Sequence, residues 1–297
     1  MFGALLRQSG GVNRWTHVRV PTPLDEQTVI RMNRDTLYST AVVDLADGAT
    51  LTLPDAADRY LSAMVVNQGH YINAVFHDAG SHALFQSELG SRHVLVAVRI
   101  LVDSADQGDI ADVNLLQDQL GISAGSADPP SSPDFDQESL TATRQALLQL
   151  AAGLGGLDHA FGRREAVDPV RHLIATAAGW GGLPESEAYY INVSPELPVG
   201  EYRVDVPATV PVDGFWSISV YNADGFFQPS DGAVSVNNLT AVKNRDGSIT
   251  VHFGGPPDGR PNRLPITEGW NFLIRLYRPR PEVLDGSWTF PAPEPTS

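Results

Sequence analysis

The sequence predicts a mainly β chain: two tandem β-sandwich or jelly-roll-like domains joined by a helical segment. Three observations predict it. Period-two alternation recurs through residues 37–102 and again through 188–277. Helical spacing is confined to residues 111–179. Turn signals punctuate the C-terminal third at 198–200, 213–214, 224–225, 246–247 and 256–259. Short strands closed by such turns are the pattern of a sandwich. The expected boundaries are 1–104 for a β domain, 105–183 for a helical connection and 184–297 for a second β-sandwich domain.

Taken in order, residues 1–30 are mixed, and Pro21 and Pro23 predict no regular structure there. Residues 31–45 begin polar and become a strand, with Leu37, Ser39, Ala41, Val43 and Leu45 on one face and Tyr38, Thr40 and Val42 on the other. Residues 51–54 make a short partner. Residues 60–76 read as one long alternation that puts Gln68 and His70 on a face with Val66, Ile72, Ala74 and Phe76. Polar groups on an apolar face must be hydrogen-bonded or used. Residues 93–102 are a buried-looking strand. Residues 111–120 look helical, 123–133 form a loop, and 137–154 space Leu140, Leu147, Leu148, Ala151 and Leu154 as an amphipathic helix. A further helix is predicted over 167–179, with Asp168 as N-cap, Pro169 at N1 and Gly179 as stop. In the last third, Trp216, Ile218 and Val220 share one strand face, and Phe215, Ser217, Ser219 and Tyr221 the other. Asn222 to Gly225 close the turn, and residues 188–193 and 271–277 supply flanking strands.

Composition excludes several chemistries. Twenty basic residues against 35 acidic ones give a net charge of −15, which disfavours nucleic acid and anionic membranes. With no cysteine, thiol nucleophiles, zinc-thiolate sites and Fe–S clusters are ruled out. Lys243 is the sole lysine and lies beside the turn at 244–247, so pyridoxal chemistry is not expected. The sequence leaves any other cofactor open. No membrane span is predicted, and the absence of a leader pattern at the N-terminus predicts a cytoplasmic protein.

Candidate site residues fall into a few groups. Gly121-Ile-Ser-Ala-Gly125 fits G-x-S-x-G, but a nucleophile elbow needs a strand before the Ser and a helix after it, the reverse of what is predicted here. Asp103, Asp106, Asp109 and Asp112 read as a solvated acidic face. His70, His77, His82 and His93 lack metal-ligand spacing, so no metal site is assigned. Asp168 and His172 stand four apart on a helix, where a carboxylate can orient an imidazole as general base; the plainer reading is a cap and a boundary histidine. Asn33, Arg34, Asp35 and Tyr38 form a polar cluster at a strand entrance, suited to a ligand or to ordering a loop. Trp180 either lines a pocket or plugs the core, and Trp216, Tyr221, Phe226, Phe227, Trp270 and Tyr277 either line an aromatic cavity or complete a core. The catalytic expectation is His172 as base with Asp168, and Asp35 and Tyr38 beside them. Tyr38 and Asn222 would donate to a developing oxyanion. Asn33, Arg34, Trp180, Trp216, Tyr221 and Asn222 are the expected ligand contacts.

The strings NRDTLYSTAVVDL (33–45) and LPDAADRY (53–60) resemble the N-terminal domain of the DUF1254 family. GWGGLP (179–184), YNADGFF (221–227), DGSITVHFG (246–254), LPITEGWNFLIRLYRP (264–279) and EVLDGSWTFP (282–291) resemble the DUF1214 domain that follows it. The resemblance implies tandem β-sandwich-like domains with helices between them, and a homo-oligomer. Members carry hydrolase or esterase labels, and many have an export signal and a longer helical N-terminus, neither of which is predicted from the residues at the start of this sequence. The resemblance brings no catalytic set with it. The expected function is an enzyme acting on a small, largely apolar molecule, hydrolytic, with its pocket where the β-domains meet the helices. A non-catalytic small-molecule binding protein and a structural oligomer are the alternatives.

Overall fold

Apolar runs at 61–67 and 93–101 lie at the centre of a sheet, where both faces of a strand are covered and alternation gives way to continuous burial. The structure, a computed structural model, describes residues 1–27, 29–131, 134–154, 156–228 and 232–296. It divides into two units, residues 1–19, 37–101 and 110–185 in the first and 20–36, 102–109 and 186–297 in the second. The chain is mainly β, as the alternation predicts.

The first unit carries helix α1 (Phe2–Ser9), strands β1 (Thr16–His17), β2 (Thr36–Asp44, from Leu37 on), β3 (Ala49–Leu53), β4 (Leu61–Asn67), β5 (Ile72–Phe76) and β6 (Gly80–Leu84), helix α2 (Gln86–Leu89), strand β7 (His93–Leu101), helix α3 (Gln107–Asp118, from Ile110 on), strand β8 (Gly121–Ala124), and helices α4 (Gln137–Ala151) and α5 (Pro169–Ala178). Its sheets run β1-β2-β7-β4-β5 and β6-β3-β8. Three details differ from expectation. Helix α1 forms because Pro21 and Pro23 lie beyond it; Phe2, Leu5 and Leu6 share its half-buried face, and Gly10 ends it at φ 72°. The run at 60–76 is a hairpin, not one strand. Asn67 accepts the N–H groups of Gly69 (2.9 Å) and Tyr71 (3.0 Å), and His70 turns the chain at φ 64°. That side-chain turn overrides the alternation. The loop expected from residue 123 begins instead inside β8, where Ser123 lies exposed opposite Thr50 of β3; the G-x-S-x-G string, not expected to be a nucleophile elbow, builds none.

Helix α5 starts and stops where its caps place it. Asp168 accepts from Val170 and Arg171 N–H at 2.9 Å each, Pro169 takes the first turn, and Gly179 follows. Helix α4 packs against α5, with Leu147 and Leu148 half-buried, and buries no residue fully. No helix among the described residues is long and apolar enough to cross a membrane.

The second unit contains β9 (Ala188–Val193), β10 (Glu201–Val206), β11 (Trp216–Tyr221), β12 (Ser235–Asn237), β13 (Ile249–Gly254), β14 (Arg263–Leu264), β15 (Asn271–Tyr277), helix α6 (Pro281–Leu284) and β16 (Glu294–Pro295). Two four-stranded sheets, β12-β11-β15-β9 and β14-β13-β10-β16, enclose one core. Alternate residues supply it: Trp216, Ile218 and Val220 from β11, Phe272, Ile274 and Leu276 from β15, and Val251 and Phe253 from β13. Gly254 closes β13 at φ 71°, where a Cβ would collide with the Gly200 carbonyl; no other residue fits.

The other face of β11 is also buried. Tyr221 and Leu273 form a second apolar cluster with Phe227, covered by Leu24 and Met32 from the segment at 20–36. Ser217 and Ser219, expected in a half-polar setting, are fully buried beneath it.

Candidate ligand-binding site

Residue Arg275 interrupts the apolar run of β15, and its pairing explains how a buried charge is tolerated there. In register it stands opposite Ser217 of β11, so both face the segment at 20–36. Arg275 is 2% exposed. Its Nη1 donates to Ser219 Oγ (2.8 Å), and its Nη2 faces the carbonyls of Arg31 (3.0 Å) and Met32 (3.1 Å) and the Tyr221 hydroxyl (2.8 Å). Tyr221 donates in turn to Met32 O at 2.8 Å. Asp35, 1% exposed, lies 4.0 Å from Arg275 Nη1 and accepts from Asn237 Nδ2 at 3.1 Å. Asn33 accepts the Asp35 N–H (2.8 Å) and donates to Tyr277 Oη (3.1 Å). Burial pushes the Asp35 carboxyl up, while Arg275, Ser217, Asn237 and Arg34 pull it back. Burial works against the Arg275 charge, but Tyr221, Tyr277 and Asp35 more than offset it and hold the group above its ordinary value. This network ties the 20–36 segment to the sheet. Asp35, Asn33 and Tyr221, expected at a substrate, are enclosed in it.

Beside the network the second unit has a cleft of about 720 Å³. Leu24, Val234, Val236 and Val242 give it an apolar wall, and Arg34, Asp103, Asn237, Arg260, Asn262 and Arg263 its polar groups. Most of the latter are engaged. Arg260 is held above its ordinary value by Asp258, and further by Glu201. Arg263 donates to the carbonyls of Gly254 (3.1 Å) and Gly255 (2.7 Å). Asn237 accepts from Leu239 and Thr240 N–H while donating to Asp35. Asn262 bonds Val242 on both sides of its amide. Arg34 differs. It donates from Nη1 to the Thr22 carbonyl, and its Nε and Nη2 bond no described residue. Burial lowers its pKa, and Asp35 raises it.

Of the remaining candidates, Trp216 and Asn222 belong to the second unit's framework. Trp216 is core, 4% exposed, edge-on to Phe290 at 6.1 Å. Asn222 Oδ1 accepts from Asp224 (3.1 Å) and Phe226 (2.9 Å) N–H, organising the turn after β11.

Tyr38, Asp168, His172 and Trp180 lie in the first unit. Half-buried Tyr38 lies under the Arg99 guanidinium, 5.5 Å from its ring centre. Trp180 stacks on His70 at 4.8 Å. His172 stacks on Tyr71 at 4.5 Å, its Nδ1 faces Ala160 O at 2.9 Å and its Nε2 faces Gly69 O at 3.2 Å. With both ring nitrogens against carbonyls, no lone pair is presented to a substrate. The Asp168 carboxylate is turned to its helix N–H groups rather than to His172. The expected Asp168–His172 base is therefore not formed. Replacing Asp168 by alanine is expected to cost about 1 kcal/mol of stability through the lost cap, and by asparagine much less. Urea unfolding of the two variants checks this; equal losses would mean that the charge matters rather than the cap.

The residues that sequence reasoning missed are Arg275, Ser217, Ser219 and Asn237. Arg275 carried a signal, since an arginine in an apolar strand must be paired.

The family model for "Protein of unknown function (DUF1254)" matches residues 12–81, and that for "Protein of unknown function (DUF1214)" matches residues 196–281. A crystal structure of a Vibrio parahaemolyticus protein is similar over 90% of this chain and 90% of its own, at 18% identity and a TM-score of 0.69. An uncharacterised Burkholderia cenocepacia protein is similar over 97% of this chain and 83% of its own, at 18% identity and a TM-score of 0.59. The likeness extends to the fold. No curated protein matches the chain.

Proposed function

This chain belongs to the family that joins a DUF1254 to a DUF1214 domain, and we propose that it binds a small molecule, without turning it over, in the cleft of its second unit. The observation that carries this reading is the cleft itself. Its volume of about 720 Å³ falls in the range of small-molecule sites, which combine an apolar wall with few polar groups. A hydrolytic reading needs a base, and the candidates for that role are otherwise engaged: His172 on two carbonyls, Asp168 on a helix end, Asp35 in the Arg275 network.

The test is a thermal-shift screen of small organic acids, amides and alcohols, followed by recovery of each hit. A ligand that binds only the folded protein stabilises it by about 2.7 kcal/mol at a hundred times its Kd. The expected result is saturable stabilisation with the compound recovered unchanged. Exposed Ala105 lines the cleft, and Ala105→Trp is expected to abolish the stabilisation without unfolding the protein. Recovery of a chemically altered compound would restore the hydrolytic reading.

A further inference from the structure

We propose that the cleft of the second unit selects a small monocarboxylate, with Arg34 taking the carboxylate group; this rests on the reading of the cleft as a binding site. The inference comes from which donors remain open. Arg260 faces Asp258 and Glu201, Arg263 faces the carbonyls of Gly254 and Gly255, and the amides of Asn237 and Asn262 are occupied. Arg34 uses Nη1 on Thr22 and keeps Nε and Nη2 for a ligand. These two nitrogens form one edge of the planar guanidinium, the edge that meets both oxygens of a carboxylate at once.

The surroundings strengthen such a pair. Arg34 is half-buried, which raises the strength of a charge-charge contact above its value in water. The carboxylate acting on it within the protein is neighbouring Asp35, which is held towards Arg275 and Asn237. An incoming carboxylate thus supplies the counter-charge at the open edge. Leu24, Val234, Val236 and Val242 leave an apolar wall for the hydrocarbon part of the ligand. Asp103 also lines the cleft, its Oδ1 accepting from Ala105 N–H at 3.0 Å. Its charge opposes a second anionic group, which restricts the class to monoanions.

The experiment is calorimetric titration of the full chain with phenylacetate, phenylacetamide and phenylmalonate, three probes that share one body and differ in charge. Wild type is compared with Arg34→Gln, Arg34→Lys and Ala105→Trp, each verified as folded by its melting curve. Phenylacetate is expected to bind about 10- to 100-fold more tightly than the amide, the range of a charge-assisted bidentate pair. Phenylmalonate is expected to bind more weakly than phenylacetate. Arg34→Gln should bring acid and amide together, and Arg34→Lys should keep part of the preference because it keeps the charge without the fork. Acid and amide binding equally, or no effect of Arg34→Gln, overturns the carboxylate assignment and leaves the cleft reading standing. Binding that survives Ala105→Trp overturns the cleft reading itself. Failure of all three probes to bind wild type overturns the proposed ligand class.

Discussion

Replacing Arg275 with methionine is expected to destabilise the second unit by about 3–5 kcal/mol, the cost of breaking a buried pair by removing one partner. Methionine roughly matches the volume of the side chain but none of its donors. Ser219 Oγ, Tyr221 Oη and the carbonyl of Arg31 lose the Arg275 donor, and the Met32 carbonyl keeps only the Tyr221 hydroxyl. Each orphaned acceptor costs on the order of 1–3 kcal/mol, and the losses are not additive. Asp35 has an escape, because burial already pushes its carboxyl up and protonation removes the charge. A carboxyl raised in the folded state contributes stability that is fully present below its ordinary value of 3.8 and is lost as pH rises through the folded value. The deficit of Arg275→Met is therefore expected to grow from mildly acidic to neutral pH. Adding Asp35→Asn should recover part of it. Amide exchange in β11 and β15 is the suitable measurement, since a chain of two units has no single unfolding transition to rely on. A loss below about 1 kcal/mol, the scale of an exposed pair, would show that the network does not tie the segment down. Leu24 and Arg34 reach the cleft from that segment, so ligand binding is expected to fall with its protection.

What could be read in the sequence was what local pattern decides. Residues 188–193, 216–221 and 271–277 alternate because Trp216, Ile218, Ile274 and their neighbours point alternately into the sandwich core, and all three are strands. Asp168-Pro169 marks its helix start because a capping carboxylate and a proline satisfy the first turn wherever the helix packs. Long-range consequences were not legible. No local pattern marks residues 20–36 and 102–109 as part of the second unit, and it is the first of these segments that covers Ser217 and Ser219. The cleft draws on 24–34, 103–105, 232–242 and 257–263, stretches that share no spacing. Polar density at 33–39 marks Arg34, which lines the cleft, and equally Asp35, whose partner Arg275 lies far along the chain. The hairpin at 67–71 was hidden because Gln68 and His70 fit the parity of the strands around them, and the Asn67 side chain decides otherwise.

Acidification is expected to weaken the first unit through His70. Its Nε2 accepts the Gly181 N–H at 2.8 Å, and its Nδ1 lies 2.8 Å from Thr176 Oγ1. The Thr176 hydroxyl donates to the His172 carbonyl at 2.7 Å, so towards His70 its oxygen accepts and Nδ1 donates. The neutral imidazole is thus complete on both sides, and a second proton would set Nε2–H against the Gly181 N–H. Burial first, and the facing His172 after it, lower the His70 pKa to about 4. A base depressed in the folded state contributes stability that is fully present above 6.5 and is lost as pH falls towards about 4. At about 1.4 kcal/mol per pH unit, that interval corresponds to roughly 3 kcal/mol. Asp44, in the same unit, is held below the carboxylate range chiefly by its bond from Arg92, and its contribution is lost only as pH falls below 3.8. The interval from 6.5 to 4 therefore separates His70 from it. In His70→Asn the positive φ remains acceptable, and the slope in that interval should flatten while stability at neutral pH falls. Ring-proton titration by NMR, read alongside exchange of the Gly181 amide, tests both parts. A His70 midpoint near 6.5, or Gly181 protection that does not change with pH, would remove His70 as the source of acid sensitivity.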